Sequence, residues 1–394
     1  MMSRGFCGLV LVLAACPDAT GDSGTPVTSG VTTVPASEPT TGTGGFASSS
    51  SSDDAPTGVP PATTSSSDIT TTSVSTGPGP LDTGGDTTGP VDPGTTTSTD
   101  DATTAPDCSD QPPTPAGPEV VIAPEFADLY TTYELGQVPG IPPEARLGGC
   151  IVAKDDPGSL LIAGFSEDPV GKLYKIGVER GACDHIVGFV GTAEVVADTP
   201  YIDANLLYVQ SGLLFYPEWP VNILSQLLPG SFVADRSTDM EALGVAYSIS
   251  GIGFVPPNLA DPGGMRSLSW PGGEWYHLDR APDGELFTIS NPLQTATLAG
   301  GPGGFAYVPP GSPGFATDHV IVAEWSADTV GVYQVDAVGD PMERTRKDFF
   351  TAFPRPWGAY FEPLTGDYLF LTWGAGMDRV YIIQGFMPPP PIPG

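Results

Sequence analysis

The most legible apolar stretch lies at residues 357–386, WGAYFEPLTGDYLFLTWGAGMDRVYIIQGF. Three short apolar runs, GAYF, YLFLTW and RVYIIQG, are separated by PLTGD and GAGMD. Gly and Asp tolerate positive φ and bond their own backbone, so the stretch predicts three strands joined by tight turns. The same pattern occurs four more times upstream. First strands are expected at GGCIVA (148–153), ANLLYV (204–209), SGIGFV (250–255), GGFAYV (303–308) and WGAYFE (357–362). Second strands follow at LLIAGF, LLFYPEW, RSLSW, HVIVAEW and YLFLTW, and third strands at KLYKIGV, NILSQL, EWYHLD, VGVYQV and RVYIIQG. The helix-compatible run around Val221–Leu228 falls on the third strand of its copy. Matching positions Val152, Tyr208, Phe254, Tyr307 and Phe361 are 56, 46, 53 and 54 residues apart. A period of about 50 residues predicts an all-β ring of blades, a β-propeller.

Fourth strands are expected at HIVGFVG (185–191), ALGVAY (242–247), ELFTIS (285–290) and KDFFTAF (347–353). The fifth copy is followed by Met387 and four prolines, which cannot join a ladder. The segment Asp128–Glu134 is the candidate to complete that copy from the other end of the ring and so remove an exposed edge. Five copies imply five blades; six would follow if residues 118–145 formed a blade of their own.

The remainder of the chain reads differently. Residues 1–16, MMSRGFCGLVLVLAAC, combine Arg4 with an apolar run too short to span a bilayer. Leu13-Ala14-Ala15-Cys16 resembles the bacterial lipobox, which implies lipidation at Cys16, removal of the preceding signal peptide and anchoring through several acyl chains. Residues 17–111 are Thr, Ser, Pro, Gly and Asp in shuffled order, with thirteen Asp or Glu and no Lys or Arg. Such a segment cannot bury enough apolar surface to offset its ordering entropy, so a disordered tether is expected, either plain or O-glycosylated. The propeller is assigned to residues 112–386 and a Pro-rich tail to 387–394.

Residues 112–394 carry thirteen Lys or Arg against thirty-three Asp or Glu. That balance excludes nucleic acid as a partner, because phosphates require basic surface. Candidate chemistry is sparse. Cys108, Cys150 and Cys183 remain once Cys7 and Cys16 are assigned to the leader. One disulfide is expected, Cys108–Cys183 or Cys150–Cys183; the second would join strands two ladder steps apart and needs a bend. His185, His277 and His319 lie in or beside strands and are read as structural. No nucleophile elbow, phosphate loop or zinc motif occurs, and no cofactor or metal is expected.

One pattern stands out. The second strand ends on an aromatic in every copy: Phe165, Trp219, Trp270, Trp325 and Trp373. The turn that follows lies on the face where the first strand enters, so these five should circle one mouth of the channel. They are either wedges between blades or a platform on which sugar rings stack. Glu218 and Glu324 neighbour two of them, and Asp203, Arg146 and Arg355 precede first strands on the same face. Non-catalytic binding of a carbohydrate or protein by a monomeric propeller is the expected function. The alternative is a hydrolase of the glycosidase or lactonase class, for which Glu218 and Glu324 are the nearest approach to a carboxylate pair.

From Tyr201 to Phe386 the chain resembles a family of secreted bacterial β-propeller proteins of unassigned function, many with a C-terminal PEP-CTERM sorting signal. The phrases that carry the resemblance are LLFYPEWPVNILSQLLPGS, GIGFVPPNLADPGG, GGFAYVPPGSPGF, VDAVGDPMERTRKDF and GAYFEPLTGDYLFLTW. The resemblance implies the fold and an extracytoplasmic location, in the periplasm or at the cell surface, and carries over no catalytic residue. This chain departs from the family in its anchor: no sorting helix follows residue 386.

If Cys16 holds the chain at a membrane, Cys16→Ser should move it from the membrane to the soluble fraction. Sedimentation with membranes after a high-salt wash would refute lipid anchoring.

Overall fold

The computed structural model describes residues 112–391, within the compact unit Thr95–Gly394. The signal peptide, Cys16, the tether and Cys108 lie outside the described residues. The fold is a five-bladed β-propeller. Each blade is an antiparallel sheet whose strands run outward from the axis in chain order, with N-terminal segments added at the outside of blades 4 and 5. Innermost strands are Leu147–Ala153, Leu207–Tyr208, Ile249–Phe254, Pro302–Tyr307 and Pro356–Phe361 in blades 1 to 5.

The apolar runs are continuous rather than alternating because both faces of every blade are buried. In blade 5, Tyr368 and Phe370 pack toward blade 4, and Leu369 and Leu371 pack toward blade 1. In blade 1, Leu160 and Ile162 meet blade 5, and Leu161 and Ala163 meet blade 2. Side chains alternate across a strand, so each second strand feeds two cores. Five blades make five such inter-blade cores.

The ring closes from its N-terminal side. Thr131–Gly136 pairs with Val380–Gln384 as the fourth strand of blade 5, with Tyr133 opposite Ile382. Arg379 and Glu134 form an ion pair across this seam. Val121–Ile122 extends blade 4 by pairing with Lys347–Ala352. Residues 118–145 therefore complete blades 4 and 5, which removes the six-blade alternative. The sequence also misplaced one strand. The fourth strand of blade 2 is the polar Arg236–Asp239, not 242–247. Those later residues form turns that tuck Val245 beneath the core of blades 2 and 3. An exposed edge strand needs no apolar run.

At the axis the inner strands approach too closely for side chains. A Cβ on Gly358 would fall 2.3 Å from the Gly148 carbonyl oxygen, and one on Gly149 would fall 2.8 Å from that of Ala204. Blade 2 places a large polar side chain at this level. Asn205 is buried, and its Nδ2 donates to the carbonyl of Ala359 at 2.8 Å and of Phe305 at 3.4 Å. Its Oδ1 accepts from the Phe305 amide at 3.0 Å. One side chain thus joins blades 2, 4 and 5 across the axis and seals the channel midway.

Among the cysteines, Cys183 is disulfide-bonded and Cys150 is free and buried. Cys150 is therefore not the partner of Cys183, and the other candidate, Cys108, lies outside the described residues.

Asn205→Ala should lower stability by about 2–4 kcal/mol, because it strands a buried donor and acceptors at the axis. Equilibrium urea unfolding measures this; a loss below about 1 kcal/mol would mean that the axis relaxes or admits water.

Candidate functional site

Sealing at Asn205 divides the channel into two mouths of opposite chemistry. The first lies where the inner strands begin. Here the four tryptophans Trp219, Trp270, Trp325 and Trp373 come together as expected, and Trp357 joins them. Neighbouring indoles meet edge to face, with centroids 5.2 Å apart for Trp219–Trp270, 5.9 Å for Trp270–Trp325 and 5.5 Å for Trp325–Trp373. Trp357 sits beneath, 6.2 Å from Trp325 and 5.9 Å from Trp373. Hydrogen bonds tie the ring between blades: Trp219 Nε1 donates to the Trp270 carbonyl at 3.3 Å and Trp325 Nε1 to that of Trp373 at 2.9 Å. The four outer indoles are half-buried, so the geometry combines the wedge with a partly open rim. Phe165 does not join the ring and packs instead on the core between blades 5 and 1.

Polar groups complete this mouth. Arg355 lies over the face of Trp325 at 4.2 Å and Arg146 over that of Trp373 at 4.4 Å. These cation–π contacts occupy the faces on which a sugar would stack. Asp203 is fully buried, and its Oδ1 accepts from Trp357 Nε1 at 2.7 Å. Burial raises its pKa, and the charge of Glu167 raises it further. Burial likewise raises the pKa of Glu167, opposed by Arg146. The two acids therefore favour a state in which at least one is protonated.

Glu218 and Glu324 are not part of either mouth's ligand surface. Glu218 is buried and accepts from Ser225 Oγ within its own blade at 2.5 Å. Glu324 is 1% exposed and accepts from Tyr333 Oη at 2.6 Å, Thr329 Oγ1 at 2.9 Å and Arg346 Nε at 2.8 Å. A carboxylate so saturated has no lone pair for a ligand hydroxyl. The nearest approach to a carboxylate pair in the sequence is thus two acids each held within its own blade. The histidines are also engaged: His185 with Asp367 at 2.6 Å, His277 with Asp340 at 2.5 Å and His319 with the Thr317 carbonyl at 2.6 Å.

The second mouth, where the inner strands end, was not anticipated. It is an apolar funnel of about 560 Å³ whose floor includes Asn205 and Phe305. Tyr208, Phe254, Tyr307, Tyr360 and Phe361 form much of its wall, and Pro256-Pro257, Pro309-Pro310 and Pro363 form its rim. Its lining holds no Asp, Glu, His, Ser or Cys; Lys154, Gln210 and Asn205 are its non-aromatic polar residues. A volume of this size with few polar groups is typical of a small-ligand pocket. The signal in the sequence was the aromatic at the close of the first strand in four of the five copies, together with the repeated VPP at 255–257 and 308–310.

No known family pattern and no curated protein matches this chain. Several solved structures are similar in architecture. One is described as a glucose dehydrogenase, 12% identical over 69% of this chain and 96% of its own, with a TM-score of 0.39. Another is a gluconolactonase from Xanthomonas campestris, 12% identical over 69% of this chain and 97% of its own, with a TM-score of 0.39. A third is an auxiliary nutrient binding protein from Bacteroides ovatus, 10% identical over 64% of this chain and 76% of its own, with a TM-score of 0.38. Likeness at this level transfers neither activity nor ligand.

The acid pair gives a pH test. Where a carboxyl's folded pKa exceeds its unfolded value, the folded state binds more protons between the two. The associated stability is then present at low pH and lost as pH rises through the folded pKa. Asp203→Asn keeps an acceptor for Trp357 but removes this titration. Its melting temperature relative to the unsubstituted protein should rise between pH 4 and pH 8. A difference that stays constant with pH would contradict the raised pKa.

Proposed function

We propose that this chain is a lipid-anchored protein of the bacterial envelope whose propeller is a non-catalytic binding module, with its ligand taken into the apolar funnel. The observation that carries this reading is the funnel's lining. It offers aromatic walls and a volume suited to a small apolar ligand or an apolar segment of a protein, while its lining includes no carboxylate, histidine, serine or cysteine, and Lys154 and three tyrosines are its ionisable side chains. The lipobox at Cys16 and the long uncharged-to-acidic tether support display clear of a membrane surface. Five strand ends hold the walls, and Asn205 fixes the floor, so the cavity is preformed and little ordering entropy opposes binding.

The geometry of the tryptophan mouth does not favour the hydrolase alternative. Asp203 is fully buried beneath Trp357 and Glu167 is half-buried, while Asp328 pairs with Arg355 at 3.6 Å and Asp378 accepts from the amides of Leu147, Gly374 and Ala375. Glu218 and Glu324 are consumed within their blades. A carbohydrate platform is disfavoured by the arginines already stacked on Trp325 and Trp373.

The environment-sensitive dye 1-anilinonaphthalene-8-sulfonate tests the site in the folded protein. Saturable enhancement at one site is expected, reduced at least tenfold in affinity by Ala306→Trp, which fills the funnel, and unchanged by Trp325→Ala at the other mouth. Enhancement insensitive to Ala306→Trp would refute the funnel as the ligand site.

A further inference from the structure

The chain leaves blade 5 in a direction that bears on what the funnel accepts. After Val380–Gln384, Gly385 takes a φ of 122° and Phe386 turns back into the core. Phe386 packs 4.3 Å from Tyr130 and 4.9 Å from Phe361, centroid to centroid. The next residue is pinned to another blade: Met387 N donates to Ser312 Oγ at 3.1 Å, and Ser312 Oγ donates to the Pro309 carbonyl at 2.7 Å. This two-step anchor spans from blade 5 to the rim of blade 4. It delivers Pro389, Pro390 and Pro391 to the funnel, where they form part of its lining. Pro389 and Pro390 are half-buried there.

Resting on the reading of the funnel as the ligand site, we propose that the funnel recognises a polyproline helix. Residues 389–391 are then its ligand in cis, and a proline-rich segment of a partner protein is its ligand in trans. Four successive prolines, Pro388 to Pro391, favour the left-handed polyproline conformation before any contact is made, so docking costs little further entropy. Prolines bring no N–H groups into a cavity with few acceptors, which avoids stranded donors. Their flat rings suit a wall of aromatic side chains, the recurring mode by which aromatic grooves receive proline-rich segments. The backbone carbonyls that remain require donors, and the lining supplies Gln210 and Lys154, whose Nζ also donates to the Val209 carbonyl at 3.4 Å. Because the cis segment is tethered, it competes at a high effective concentration, and a partner in trans must displace it.

The test keeps the full chain. Pro389→Gly, Pro390→Gly and Pro391→Gly together retain the length of the tail but abolish its conformational preference. The probe is the synthetic peptide Met-Pro-Pro-Pro-Pro-Ile-Pro-Gly, titrated by fluorescence anisotropy. The triple variant should bind it at least tenfold more tightly than the unsubstituted protein, and adding Ala306→Trp should remove that binding. Equal affinity in the two proteins would overturn cis occupancy. A triple variant that binds the naphthalene dye at the funnel but not the peptide would overturn polyproline recognition while leaving the funnel a ligand site. Failure to bind either probe would overturn both readings.

Discussion

The structure depends on closure at the axis. Five inner strands converge until glycine backbones touch, as Gly358 does with Gly148, and one side chain settles the remaining polar groups. Asn205 offers two donors and one acceptor, and the hydrogen bonds it makes reach Phe305 and Ala359 in different blades. A buried amide placed this way is costly unless it is satisfied, and when satisfied it fixes a single arrangement of the ring. The five inter-blade cores supply most of the apolar burial. They specify neighbours, whereas Asn205 specifies distance across the ring.

A sealed axis has a functional consequence. It separates a polar mouth from an apolar one, so neither can act as part of a through-channel. On the tryptophan side, the indoles meet edge to face, arginines stack on two of them and Asp203 accepts from Trp357, while Trp270 Nε1, Trp373 Nε1 and Asp203 Oδ2 are buried without a hydrogen-bond partner. That side is best understood as the device that joins the second strands of neighbouring blades. On the other side the strand ends diverge, and their aromatic side chains line a cavity with few polar partners. The chain's own prolines partly cover it. An apolar concavity of this kind, left without a cover, would be an association hazard.

Much of the fold was legible because each blade is buried on both faces. YLFLTW and LLIAGF could only be buried strands once the Gly and Asp turns bounded them, and their spacing counted the blades. The closing strand was legible because the fifth copy runs into prolines. The fourth strand of blade 2 was not, since Arg236–Asp239 is an exposed edge with no apolar signal. The tryptophan ring was read from the second-strand ends, but the orientation of Glu218 and Glu324 could not be. Whether a carboxylate at a strand end turns outward or back into its sheet depends on donors such as Tyr333, on the next strand, and Arg346, in the turn beyond it. Asn205 stands where the other four first strands carry Gly149, Gly251, Gly304 and Gly358, a break in the pattern that was legible but went unused. The funnel is assembled from five separate strand ends and had no contiguous motif to find.

Native-state hydrogen exchange at the Phe305 amide tests the closed axis most directly, because that N–H is bonded to Asn205 Oδ1 across the ring. A sealed axis predicts that it exchanges only through global unfolding, with an opening free energy equal to that of urea denaturation. Exchange through a local opening, faster than global unfolding and independent of denaturant, would show a wet and open channel and contradict the division into two mouths.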